Sequence, residues 1–445
     1  MKSVIVVGAG LSGLTCARTL QRMGIEASVY EASDGVGGRV RTDVVDGFQL
    51  DRGFQVMFTA YPALREELDF PALNLRHFEP GAMIFRNGSR NILSDPKRVP
   101  GRLLSGAFSP LLGLSDKIRV PLLTLKLARL SVEEIFKLPD CTMAQFLTDF
   151  GFSQNFLDRF IRPFYGGIFL ENGLQTSARM FAFVFKMLSE GETSVPAKGM
   201  GELGKQLAAN LKTPNSQYQT PNVQRQTPTT QNTTPNAKRQ SPNSLFLNSP
   251  VRELLKSGER VIGVRLEGGE AIEADAVVLA TEADVAAKLA GFHFEVTWRV
   301  STELAFSLPE PLFTEKLIAL FSDQNSLVND AAMISNVAPS YAPPGNHLLS
   351  ATILGTPGLG EAELVSQVKR QFAGQFPACR PDSWELLRIY TVQKAQFAQP
   401  VGVWESLPTS KTLTPGLFLA GEYLSSSSLN GALAAGSFAA RAVVA

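Results

Sequence analysis

Cysteine is scarce. Cys16, Cys141 and Cys379 are scattered, with no CxxC pair, which argues against a disulfide framework and a cysteine-built zinc site. His77, His293 and His347 lie far apart with no HxxxH pair, so no metal site is expected from histidine. Neither a GxSxG elbow nor a GxxxxGK[ST] loop occurs, which removes the common hydrolase and NTPase chemistries. An excess of one charge is missing too. Lys plus Arg is 42 against 41 for Asp plus Glu, so no general attraction for nucleic acid is expected. The longest charge-free apolar-leaning stretch near the middle, residues 103–115, is 13 residues long, against the about 20 needed to span a bilayer as a helix. Met1-Lys2-Ser3 leads directly into Val4-Ile5-Val6-Val7, without the pattern of a cleavable signal. The expectation is a cytoplasmic protein, free or peripheral on a membrane.

What is present is a chain of 445 residues, 44% apolar and 19% charged, enough to build a sizeable core. At roughly 150 residues per domain it holds two or three domains or one interleaved unit. Residues 4–7 form a β-branched run, 14–23 show helical spacing that stops at Gly24, and 25–30 read as a second strand, together a βαβ-like unit. Strands are expected at 261–266, 271–273, 276–279, 303–307, 347–352, 386–391 and 417–420, with helices at 361–375 and 429–443.

Residues 103–188 turn helical and rich in Phe. Phe152, Phe156, Phe160 and Phe164 recur every four residues and would share one helix face. Such a stripe is either ordinary core or a greasy wall around an apolar substrate. Residues 213–247 repeat in sevens, beginning TPNSQYQ and TPNVQRQ, with proline at 214, 221, 228, 235 and 242. Those prolines forbid a continuous helix, and the polar composition buries too little to offset ordering entropy. A flexible insertion is expected over 213–244.

The chemistry concentrates at two ends. Gly8-Ala9-Gly10-Leu11-Ser12-Gly13 is GxGxxG between a strand and a helix. Gly8 permits the tight turn, Gly10 lets backbone approach a pyrophosphate, and Gly13 allows close helix–strand packing, while the helix N-terminus favours phosphate. Glu31 follows Gly8 by 23 residues, where a carboxylate accepts hydrogen bonds from ribose hydroxyls. Ala32-Ser33-Asp34-Gly35-Val36-Gly37-Gly38-Arg39-Val40-Arg41-Thr42 comes next. Its Gly-Gly pair beside an arginine offers backbone approach plus a cationic group for a diphosphate.

These segments resemble the FAD-dependent amine oxidase superfamily, which includes protoporphyrinogen oxidases and carotenoid desaturases and isomerases. Gly37, Gly38, Arg39 and Thr42 match its R-x-G-G-R-x-x-[ST] element, with Gly35 in place of the first arginine. The resemblance places Gly53 of Asp51-Arg52-Gly53 near the flavin, the Val251 backbone against adenine, and Ala280-Thr281 at the strand end that follows. It places Gly421-Glu422 at the ribityl chain, and Leu429-Asn430 at the start of a last helix facing the flavin's pyrimidine end. Arg162–Phe169 and Pro196–Gly201 resemble stretches of desaturase-like and protoporphyrinogen-oxidase-like members.

The resemblance implies an α/β protein: a Rossmann-like, glutathione-reductase-type FAD domain (1–90, 190–290, 392–445) interleaved with an α+β substrate domain (91–189, 291–391) made of an antiparallel sheet plus helices. With no cysteine or histidine near Ser425–Ser428, the FAD is expected to be noncovalent. The implied activity is dehydrogenation of a hydrophobic molecule by hydride transfer to flavin N5, with oxygen or a quinone as electron acceptor. Amine oxidation with peroxide release, redox-neutral isomerisation and a non-catalytic flavin scaffold are the alternatives. No catalytic residue stands out. Residues 100–130, with leucines followed by Lys117, Arg119 and Lys126, form a candidate peripheral membrane contact.

Overall fold

The structure is a computed structural model that describes residues 3–94, 113–209, 211, 243–294, 296–323 and 325–445. Residues 213–242 of the heptad repeats, and residues 100–112 of the candidate membrane segment, lie outside the described residues, whereas residues 243–247, the end of the last repeat, lie along the edge of the parallel sheet, where the Ser244 carbonyl accepts from Val29 N–H at 2.8 Å.

Ser3–Val7 is the central strand of a five-stranded parallel sheet. Its β-branched residues are buried because both faces are covered, as parallel sheets require. The order is Leu245–Phe246, Glu26–Tyr30, Ser3–Val7, Ala276–Leu279, Leu417–Leu419, every neighbouring pair parallel. Strands from the start, middle and end of the chain thus build one Rossmann-like sheet.

The helix Leu11–Arg22 leaves the first strand through the glycine turn and packs against the last helix, Leu429–Val444. The two helices approach closely: Ser12 Oγ donates to the Ala432 carbonyl at 2.8 Å, and a Cβ on Gly436 would stand 2.3 Å from the Ser12 carbonyl oxygen. The chain's two ends therefore share one wall.

A seven-stranded sheet forms the second layer. Its order is Glu385–Phe397, Trp298–Leu308, His347–Leu354, Asp330–Met333, Ile318–Phe321, Gly81–Arg86, Ser89–Ser94. All neighbours are antiparallel except Ile318–Phe321 with Gly81–Arg86, which run parallel. The domain boundaries expected at residues 90 and 392 both fall inside strands of this sheet, Ser89–Ser94 and Glu385–Phe397. The hairpin Gly81–Ser94 belongs to it because Ile84 pairs with Leu320, a partner too distant in sequence for local pattern to reveal. The strand around 392 runs on to Phe397 for the same reason, paired with Trp298.

Helices cover one side of this sheet. Gln154–Phe156, a π-helical turn at Leu157–Ile161 and Arg162–Phe169 follow one another without a break. Phe152, just before them, starts a series of ring contacts through Phe156, Phe160 and Phe164, with centroids 5.4, 5.5 and 5.2 Å apart. Each such pair adds about 0.5–1.5 kcal/mol beyond simple burial. The helix Leu114–Ala128 buries Leu123 and Leu127 but leaves Leu114, Ile118, Leu122 and Leu125 exposed. Among the described residues, no helix is long and apolar enough to cross a membrane.

Candidate active site

A cavity of about 1850 Å³ runs from the glycine turn of the parallel sheet to the phenylalanine series. One small-molecule site takes roughly 300–1,000 Å³, so this space accommodates a cofactor and a second molecule together.

Its nucleotide end is shaped by backbone. Gly8 has φ +105°, and a Cβ there would stand 2.8 Å from the Ala280 carbonyl oxygen. At Gly13 a Cβ would lie 2.0 Å from the Gly8 carbonyl oxygen, so only glycine lets this helix seat on its strand. Gly10 differs: a Cβ there would meet nothing within 4 Å, because it faces the open groove. Gly37 N–H donates to the Ala9 carbonyl at 2.8 Å, which brings the Gly-Gly element against the first turn. Glu31 is held in place by Ala9 N–H (2.6 Å) and by the Ser33 N–H and hydroxyl (2.9 and 2.7 Å). The N-terminus of Leu11–Arg22 opens here, its free N–H groups and positive dipole end suited to phosphate.

Of the residues expected at the cofactor, Gly8, Gly10, Leu11, Ser12, Glu31, Ala32, Gly37, Gly38, Arg39, Gly53, Val251, Ala280, Thr281, Gly421, Glu422 and Leu429 all line this one cavity. Two stand apart. Gly13 sits behind the wall, and the Asn430 side chain accepts from Ala63 N–H at 2.9 Å. Arg39 is committed to the protein: it pairs with Glu422 at 2.7 Å, donates to the carbonyls of Lys394 and Ala395, and lies over the Trp298 ring. Burial pushes the Glu422 carboxyl up, and Arg39 opposes that shift.

The far end was not visible in the sequence. Glu303, Thr352 and Asp330 sit side by side across three strands, Glu303 paired with Thr352 and Thr352 with Asp330. Ser350 Oγ donates to Glu303 at 2.6 Å, and Asn329 Nδ2 donates to Asp330 at 2.9 Å. Asp51 lies behind, accepting from the Thr42 hydroxyl, Met200 N–H and the Tyr341 hydroxyl. Burial pushes Asp51 and Asp330 up to about 6 and Glu303 up to about 8. Asp330 and Thr352 line the cavity. The one signal in the sequence was a lone carboxylate in each of two strands, Glu303 within Trp298–Leu308 and Asp330 at the start of Asp330–Met333.

The glycines of Arg162–Phe169 have a local role here. A Cβ on Gly167 would stand 2.8 Å from Asp330 Oδ2, so the helix can close over this carboxylate only with glycine at that position. Phe156, Phe160 and Phe164 line the same space. The Phe stripe is thus both core and cavity wall.

A Rossmann-like sheet with a glycine-turn groove, opening onto an apolar chamber, is the architecture of an FAD-dependent oxidoreductase, and the comparisons agree. Residues 11–444 match the family described as flavin containing amine oxidoreductase, and the chain belongs to that family. It is 30% identical over 178 residues to protoporphyrinogen oxidase 2, chloroplastic/mitochondrial, of Arabidopsis thaliana, covering 37% of this chain and 32% of that protein. It is 30% identical over 159 residues to carotenoid phi-ring synthase of Streptomyces griseus, covering 33% of this chain and 30% of that one. The matched segments thus span about a third of the length of these curated relatives. An oxidoreductase from Methanosarcina mazei shares the fold at a TM-score of 0.70 with 18% identity, over 99% of each chain.

Proposed function

We propose that this chain dehydrogenates a hydrophobic organic molecule by hydride transfer to N5 of a noncovalently held FAD, with oxygen or a quinone as the terminal acceptor. The observation that carries the proposal is the continuity of one cavity from the Gly8–Gly13 turn to the phenylalanine series. The glycine-lined groove fits the cofactor: Gly10 leaves space where any side chain would intrude, and a helix N-terminus meets it. Gly8, Gly10, Glu31, Gly37 and Gly38 would hold the nucleotide half, and Gly53, Gly421, Glu422 and Leu429 the ring half. Bound there, FAD supplies a two-electron acceptor.

The protein's own contribution is placement. Phe156, Phe160 and Phe164 would exclude water and hold an apolar body in one orientation, which favours transfer from a fixed C–H. The parallel sheet would act as the cofactor body and the seven-stranded sheet with its helices as the substrate body. The helix Leu114–Ala128 would contact a bilayer, since Val120, Pro121, Leu123 and Thr124 line the cavity while Leu114, Ile118, Leu122 and Leu125 face outward. Anaerobic bleaching of the flavin, screened against amines, porphyrinogens and polyenes, tests the activity. At least one apolar member of the panel should bleach it. Protein that stays colourless after refolding with excess FAD would overturn the reading.

A further inference from the structure

Glu303, Thr352 and Asp330 belong to a longer polar row. In strand register Tyr390 pairs with Glu303, Glu303 with Thr352 and Thr352 with Asp330, so four side chains stand side by side on one face of the seven-stranded sheet. Directly opposite residues have Cβ atoms about 4.5–5.5 Å apart. The inner three are each 5% exposed or less. Glu303 Oε2, Thr352 Oγ1 and Asp330 Oδ1 all lack an aligned hydrogen-bond partner. Buried polar atoms are nearly always paired, and three spare ones in consecutive places call for a function.

The row has two open ends. Asp330 and Thr352 line the main cavity. Tyr390 lines a separate cavity of about 380 Å³, which the exposed Thr391 and Gln393 open to solvent. There the Tyr390 hydroxyl donates to Asp43 at 2.8 Å, and the partly exposed Asp43 pairs with Arg52. Every group from Asp330 to Asp43 is a carboxyl or a hydroxyl, a type that accepts one proton while giving up another. Arg388 faces Tyr390, and Arg41 and Arg52 face Asp43, so these cations stand at the outer end. Asp51 faces Glu303 as well, but its own bonds end at the Thr42 hydroxyl, Met200 N–H and the buried Tyr341.

We propose that this row is a proton path between the chamber and solvent, with Asp330 as the group that takes up a proton when the cofactor is reduced. The inference rests on the chamber being the substrate site of the proposed oxidoreductase. Dehydrogenation removes two hydrogens: one leaves with its electron pair for the flavin, the other as a proton, which Asp330 accepts. Glu303, Tyr390 and Asp43 exchange that proton with solvent. Reoxidation returns both electrons to oxygen or a quinone and consumes one proton, as peroxide or quinol forms. Burial pushes the Asp330 carboxyl up only to about 6, so it is mostly ionised at neutral pH and free to accept. Negative charge gained nearby then favours its protonated form.

The test is the reduced-minus-oxidised infrared difference spectrum of the FAD-loaded protein at neutral pH, with the flavin reduced by light and no substrate added. A protonated-carboxyl C=O band should grow on reduction and shift in deuterium oxide. Asp330→Asn keeps an acceptor for Asn329 and should abolish the band while FAD stays bound. Tyr390→Phe keeps the ring, and should leave the final band unchanged but slow its rise at least about tenfold after a reducing flash. A band that survives Asp330→Asn, or one that rises at the wild-type rate in Tyr390→Phe, overturns the inference. Absence of the band in the unaltered protein overturns it without any variant, and leaves the functional reading standing. Protein that never takes up FAD overturns the functional reading, and this inference with it.

Discussion

Glu303 offers a sharp physical test of the row of buried acids. Burial, reinforced by Asp51 and Asp330 nearby, lifts its carboxyl from 4.5 to about 8. Such a group destabilises the fold wherever the unfolded chain ionises and the folded chain does not follow. The sign is therefore the reverse of a salt-bridged acid: no penalty below pH 4.5, a growing one as pH rises, and the full penalty above pH 8. At one pKa unit per 1.36 kcal/mol, it amounts to roughly 3 kcal/mol at pH 7. Glu303→Gln stays neutral throughout, and its amide carbonyl can still accept from Ser350 Oγ. The variant should match wild type near pH 4.5 and exceed it in stability by a few kcal/mol at pH 8, read from urea unfolding across that range. A variant advantage that stays flat or shrinks as pH rises would refute the reasoning.

Other perturbations have equally definite outcomes. Gly436→Val would drive a side chain into the Ser12 backbone and force the terminal helices apart, so the thermal midpoint should fall and FAD affinity drop at least about tenfold. Gly374→Val, in open space on the helix Glu361–Gln375, should leave FAD affinity unchanged in the same flavin-fluorescence titration. Arg39→Ala leaves Glu422 buried without its cation, which should cost about 3 kcal/mol in urea unfolding, the low end for a buried pair since Arg39 is partly exposed. Adding Glu422→Gln should recover most of that loss. Replacing Ile118 and Leu122 by Asp should reduce flotation with phosphatidylserine-containing vesicles severalfold, and unchanged flotation would remove the proposed membrane contact.

The cofactor end was legible because its determinants are local. A strand, three glycines at fixed offsets, a carboxylate after the second strand and Gly37-Gly38 all lie within the first 40 residues, and each carries its own geometric reason. The helix expected at 361–375 appears with those bounds, as its capping glycine and apolar spacing indicate. The far end of the cavity was not legible, because strand pairing assembles it. Glu303, Asp330 and Thr352 come from separate strands, and nothing near any one of them in sequence points to the other two. The same long-range pairing hid the place of the Gly81–Ser94 hairpin. The Phe stripe was visible as a period, but only the fold shows that it walls a chamber.

The central claim is that FAD lies in the groove between the chain's two ends. Gly10→Leu tests it most directly, because a Cβ there meets no protein atom within 4 Å, so the substitution fills the groove without disturbing the fold. Titrated with FAD, wild type should take up one flavin per chain, with a thermal midpoint that climbs with free FAD. Gly10→Leu should keep the wild-type midpoint in the absence of flavin and lose the binding. A Gly10→Leu protein that binds FAD as tightly as wild type would contradict the account.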